Sequence, residues 1–113
     1  MASPKIYIAK DFSKFPAGRF VGDGPFSGQQ FRRSLLVPAL KEHVSVEVNL
    51  DGTLGFGSSF LEEAFGGLVR IEGFTAQFLH TTLKLVCTDD PTLVGEIWSY
   101  IDEAVAGDAD DVR

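Results

Sequence analysis

Val44-Ser45-Val46-Glu47-Val48-Asn49-Leu50 and, a few residues later, Gly55-Phe56-Gly57-Ser58-Ser59-Phe60-Leu61-Glu62-Glu63-Ala64-Phe65-Gly66-Gly67-Leu68 together decide the fold. The first run alternates. Val44, Val46, Val48 and Leu50 share one face, and Ser45, Glu47 and Asn49 share the other, as in a strand with one face buried and one at least partly wet. The second run changes period: Leu61, Ala64, Phe65 and Leu68 fall on one stripe of a helix. Ser59 and Glu62 have capping-box spacing, with Ser59 as N-cap and Glu62 three residues on. A strand therefore runs through a glycine-rich turn into a helix that begins with two serines. Free helix N–H groups and two hydroxyls displayed together suit anion binding or serine phosphorylation. Gly66-Gly67 inside the helix costs about 1 kcal/mol per glycine relative to alanine, which points to close packing against a neighbouring element or a partner.

Upstream, Lys5-Ile6-Tyr7-Ile8-Ala9 alternates between Pro4 and Asp11 and reads as a strand. Turn residues at Asp11 to Gly18 lead to a second short strand at Arg19-Phe20-Val21, expected to pair with the first. Ser27 and Gln30 form another capping-box pattern, and Phe31, Leu35, Leu36, Ala39 and Leu40 continue it at helical spacing. Pro38 lies inside that pattern, so a bent helix is expected over about 28–42. Downstream, Phe74 to His80 reads as a short helix capped by Thr75, and Thr82 to Cys87 as the last strand. Asp90-Pro91 opens a final helix with Leu93, Val94, Ile97, Trp98, Ile101 and Val105 inward. The expectation is an α/β domain with about four strands in a mixed sheet and helices packed on one face, because a doubly covered strand would be apolar throughout.

At 113 residues, with ten Phe and 44% hydrophobic residues, the chain has material for one packed core. One domain is expected over residues 1–106, with 107–113 a disordered acidic tail. The net charge of −6, with no Lys/Arg cluster, disfavours nucleic acid and anionic membranes. No run approaches the roughly 20 apolar residues of a membrane span, and the N-terminus has no apolar run resembling a signal peptide. A single cysteine, Cys87, forms no intrachain disulfide, and its neighbours Leu85 and Val86 mark it as a small buried hydrophobe. A cytoplasmic location fits these features.

The chain resembles STAS domains, the sulfate-transporter and anti-sigma-factor-antagonist domains, and more closely a bacterial family of STAS-like domains of unknown function. The residues that carry the resemblance are Asp11-Phe12-Ser13, Pro16-Ala17-Gly18-Arg19, Gly24-Pro25-Phe26-Ser27-Gly28 with Phe31-Arg32, and Ser58 to Leu68. They lie within a match running from about Ile6 to Ile101. Anti-sigma-factor antagonists carry Asp-Ser-Ser-Gly at the start of this helix, and an anti-sigma kinase phosphorylates the first serine. The corresponding residues here are Gly57, Ser58, Ser59 and Phe60: both serines are present, the aspartate and the glycine are not. The resemblance implies a non-enzymatic regulatory binding module with no cofactor, whose partner is a histidine-kinase-like ATPase or anti-sigma kinase. Ser58 and Ser59 are the candidate phosphosites, and Gly55, Phe56, Gly57, Phe60, Glu63 and Gly67 the candidate partner-binding residues, with the exposed side of the helix joining the turn in docking.

Other readings stay open from the residues alone. Ser59 also fits a plain N-cap, and Ser58 a turn residue. Arg19 and Arg32 fit either an anion or partner site or a structural pairing with a carboxylate, with Asp11, Asp23 and Asp51 as candidate partners for Arg32. A small anion or nucleotide sensor built on the same helix start is the alternative function. Neither His43 nor His80 has a spaced Cys or His companion, so no zinc site is expected. Glu62 and Glu63 diverge by about 100° on a helix and do not converge as a catalytic pair. No phosphate-loop lysine follows the glycines, and no catalytic residue is assigned. Phe12, Phe15, Phe26, Phe56 and Phe60 lie in or beside loops, as lids on the core or as an interaction patch.

Overall fold

The computed structural model describes residues 4–42 and 44–107. Three strands, β1 (Lys5–Tyr7), β2 (Val46–Asn49) and β3 (Leu83–Val86), form one parallel sheet in the order β1-β2-β3. The register aligns Ile6, Val48 and Leu85 in one row and Val46 with Leu83 in the next, all on the buried face. The opposite face carries the row Lys5–Glu47–Lys84, in which opposite charges alternate across the strands. The alternation in β2 thus reports a sheet covered on one side.

Among the described residues the fourth strand is absent, and the sheet is parallel rather than mixed. Arg19-Phe20-Val21 has no free donors for a ladder. The Asp23 carboxylate accepts from the N–H groups of Arg19 (3.2 Å) and Phe20 (2.9 Å), and the Gln29 side chain accepts from Val21 (2.9 Å). The carbonyls of Gly18 and Arg19 in turn accept from the N–H groups of Gly28 and Gln29, both at 3.0 Å. The segment caps the next helix instead of pairing with β1, and closes with a single 3₁₀ turn at Val21–Asp23. β1 also stops at Tyr7, where a wide π-type turn over Ile8–Phe12 begins.

Helix α1 spans residues 28–42 without interruption, capped by Ser27, whose hydroxyl accepts from Gln30 N–H at 3.1 Å. Its middle, Arg32–Leu36, is a π turn in which Val37 N–H reaches back to Arg32 O. That widened turn, just ahead of Pro38, lets the helix continue through the proline. Helix α2 spans 58–70, with a second π turn at Glu62–Gly66. Helix α3 (Ala76–Thr82) is capped by Thr75, which accepts from Phe78 N–H at 3.0 Å. Helix α4 (Thr92–Glu103) starts one residue past the expected Pro91, so Pro91 rather than Asp90 is the N-cap, and the Asp90 carboxylate accepts from Thr92 N–H at 3.2 Å from one residue before the cap. Of the expected tail, all but Gly107 lies outside the described residues.

The core lies between the sheet and α2, which is the innermost helix. From Phe60 to Arg70 every residue of α2 is buried except Glu62. Phe31 and Leu36 of α1 and Ile97 and Ile101 of α4 complete it.

Candidate functional site: a buried charge cluster beneath an exposed apolar turn

The residues singled out in the sequence divide into two layers around α2. The inner layer is ionic. Arg32, fully buried on the π turn of α1, donates through Nη1 to Glu63 Oε2 (2.8 Å) and to the Glu63 carbonyl (2.5 Å), and through Nε to Glu72 Oε2 (3.0 Å). Arg70 donates through Nη2 to Glu63 Oε1 (3.2 Å) and through Nη1 to Glu62 Oε2. Arg19 arrives from the capping loop and bridges Glu62 and Glu63. Burial pulls the Arg19 pKa down, but its hydrogen bonds and charge pairing with Glu62 and Glu63 outweigh that and hold it above its ordinary value. Three arginines thus meet three glutamates.

The wide turns of α1 and α2 contribute Arg32 and the two adjacent glutamates. Gly67 makes room for them: a Cβ there would lie 2.9 Å from Arg32 Cζ. A Cβ on Gly66 would lie 3.1 Å from Glu62 Oε2 and 3.2 Å from Arg70 Nη1. The glycine pair therefore serves intramolecular packing.

Arg32 does not sit on the helix flank and does not pair with Asp11, Asp23 or Asp51, because the π turn carries its side chain inward to Glu63 and Glu72. Glu63 and Gly67, read as partner-binding, are buried in the cluster, and Phe60 lies in the core against Phe31 and Phe56. None of the three can meet a docked protein, and past Ser59 the only residue of α2 that is not buried is Glu62. Arg70 and Glu72 were missed by sequence reasoning. The available signal was Glu62-Glu63 on an otherwise apolar helix, which requires buried cations nearby.

The outer layer is the turn that opens α2. Gly55 takes φ 121°, a conformation that favours glycine. Gly57 is the N-cap, and its carbonyl accepts from Phe60 and Leu61 N–H. Ser58 and Ser59 are therefore the first two helical residues, and Ser59 is not the cap. Both are exposed, and neither hydroxyl has a hydrogen-bond partner among the described residues. Leu54 (72% exposed), in the turn itself, and Phe15 (66%) and Phe26 (41%), in the loops before α1, are exposed apolar side chains. Leu54 N–H donates to Lys14 O at 2.9 Å, which brings the two loops together, and Phe26 packs edge-on against half-buried Phe12, with ring centres 5.5 Å apart. Gly55, Phe56 and Gly57 belong to this layer.

A family model described as a STAS-like domain of unknown function matches residues 27–93, more than half of the chain. The chain belongs to that family. Neither a curated protein nor a solved structure matched it. The matched span of this STAS-like domain includes α1, β2, the serine turn, α2 and β3, and so holds every member of the charge cluster except Arg19.

Beside the turn, the carboxyl ends of β2 and β3 are tied by Asp51, which accepts from the Thr88 hydroxyl (2.6 Å) and Asp89 N–H (2.8 Å). The hydrogen bond from Thr88, then that from Asp89, lowers its pKa. A carboxyl depressed in the folded state stabilises at pH values above its unfolded value of about 3.9, and that contribution disappears as the pH falls through the folded value. Asp51→Asn is accordingly expected to lower the thermal midpoint at pH 7, with the gap to wild type closing in acid. A gap that stays constant down to pH 3 or widens there would contradict this. Cys87, next to Thr88, is buried, and burial pushes its thiol up, so it is a poor nucleophile. Away from this end, His80 stacks on Trp98 with ring centres 4.1 Å apart and meets Asp102 at 2.7 Å. Among the described residues no three His, Cys, Asp or Glu side chains gather as a metal site, and no helix is long and apolar enough to cross a membrane.

Proposed function

We propose that this STAS-like domain is a non-enzymatic regulatory module that binds another protein through the turn before α2, in the manner of an anti-sigma-factor antagonist. The supporting observation is the exposure of Leu54 in the serine turn, of Phe15 in the loop that Leu54 is bonded to at Lys14, and of Phe26, which reaches Phe60 through Phe12, together with two exposed serine hydroxyls that have no partner among the described residues. Large side chains displayed on a rigid support are the ordinary material of docking surfaces. The charge cluster beneath holds the start of α2 in place and takes no part in contact. The partner class, from the family resemblance, is a histidine-kinase-like ATPase or anti-sigma kinase.

Phosphorylation at Ser58 would bring about −1.5 to −2 charges to the first turn of α2. The helix N-terminus tolerates that charge. A partner seated over Leu54 and Phe15 would have to desolvate it, so the modification would release the partner. The alternative, an anion or nucleotide sensor, draws no support from Arg19 or Arg32, which are committed to Glu62, Glu63 and Glu72.

The test is capture from the native cells' lysate with wild type, Leu54→Ser and Ser58→Asp. A captured ATPase-type protein is expected, with retention reduced about tenfold or more by each variant, the size of one interface hot spot. Equal retention by all three would remove both the docking surface and the switch.

A further inference from the structure

A cleft of about 310 Å³ opens at the carboxyl end of the parallel sheet, between the serine turn and the start of α4. Ligands of open α/β sheets characteristically sit outside this end of the strands. Leu50, Phe56, Cys87 and Leu93 give it apolar walls, and Asp89 and Asp90 give it negative charge. Asp89 Oδ2 accepts from Gly52 N–H (3.1 Å), and Asp90 Oδ1 from Thr92 N–H and hydroxyl. The second oxygen of each carboxylate has no donor among the described residues. Thr53 and Gly55 also line the cleft, and the exposed Leu54 lies between them, so the cleft adjoins the docking patch.

We propose that this cleft receives an arginine side chain of the docked protein partner, an inference that rests on the docking reading above. Its volume is at the lower end of the roughly 300–1,000 Å³ of small-molecule pockets, which suits one long side chain. An arginine has an aliphatic stem for Leu50 and Leu93, a flat cation that stacks on an aromatic face such as Phe56, and forked donors for the unoccupied carboxylate oxygens. A lysine offers a point charge without the stacking. The net charge of −6 steers a basic partner toward this surface.

The experiment is an amide-shift titration of the ¹⁵N-labelled full chain with N-acetyl-arginine methylamide, the norleucine analogue and tyramine, alongside capture by Asp89→Asn/Asp90→Asn. Asparagine keeps the acceptors used by Gly52 and Thr92, and a thermal melt verifies that the variant folds. The expected result is an arginine-specific response at Thr53, Gly55, Asp89 and Asp90, weakened about tenfold by the double variant, which also loses the captured partner. A blank response, or an equal one to norleucine, overturns the inference while leaving capture through Leu54 standing. Tighter binding of tyramine makes the cleft a small-amine site and overturns it too. So does an arginine response with capture unaffected by the double variant. Loss of the docking reading itself appears separately, as equal capture by wild type and Leu54→Ser.

Discussion

Glu63→Ala is expected to destabilise the domain by about 3–5 kcal/mol, the range for removing one partner of a buried ion pair. Glu63 is fully buried and is the only carboxylate that meets Arg19, Arg32 and Arg70 together among the described residues. Its loss leaves Arg32, itself 1% exposed at the side chain, with Glu72 as its one carboxylate and the backbone carbonyl of residue 63 among the described residues. Two nitrogens of the cluster, Arg32 Nη2 and Arg70 Nε, already lack a partner among the described residues, so the cluster has no spare acceptor there to compensate. Against the roughly 5–15 kcal/mol typical of a whole domain, that loss removes between about a fifth and all of the stability. Glu62→Ala removes a carboxylate that is 28% exposed, and the effect should be smaller because solvent screens Arg19 once it is freed. In the double variant Arg32→Met/Glu63→Ala the loss should be less than the sum of the single losses, since no uncompensated pair remains between them. Urea unfolding checks all of this; a Glu63→Ala midpoint equal to wild type would mean that the cluster contributes nothing net.

Much of the architecture was legible because it is written in local periodicity. The alternation from Val46 to Leu50 showed a strand covered on one face, although Val44, read on that same face, lies before β2 and is 93% exposed, and Leu61, Ala64, Phe65 and Leu68 showed the buried stripe of α2. Ser27 and Thr75 were readable as caps because capping depends on residues three positions apart. The missing strand failed for the opposite reason. Arg19 to Val21 have strand-forming composition, but Asp23 and Gln29 take their N–H groups, and a side chain eight residues away leaves no periodic mark. Arg32 was misplaced because a helix of 3.6 residues per turn puts it on the flank, whereas the π turn shifts its phase. Its partners lie 31 and 40 residues away. For the site, the turn and its two serines were legible. The apolar patch was legible only as a list of loop phenylalanines, since exposure is a property of the assembled fold.

Gly28→Ala is expected to have an effect approaching the lower end of that of Glu63→Ala, without touching any charge. Gly28 is where α1 crosses α2, and a Cβ there would run into the carbonyl oxygen of Phe60, with Ala64 N at 3.0 Å and Glu63 Cβ at 3.1 Å. Two of those neighbours are backbone of the innermost helix and cannot rotate away, so α1 must shift as a body. Overpacking a core costs typically about 1–3 kcal/mol and occasionally more, and a backbone obstacle places this site at the upper end. Gly67→Ala also introduces a clash, but its obstacle is the Arg32 side chain. The two glycines therefore separate in an Arg32→Met background. There Gly67→Ala should lose most of its cost, because the guanidinium is gone and alanine gains about 1 kcal/mol of helix propensity over glycine. Gly28→Ala should keep its full cost in the same background. Unfolding midpoints of the four variants decide the matter. If Gly28→Ala is rescued by Arg32→Met as fully as Gly67→Ala is, the crossing is deformable and the obstacle at Gly28 is not the α2 backbone.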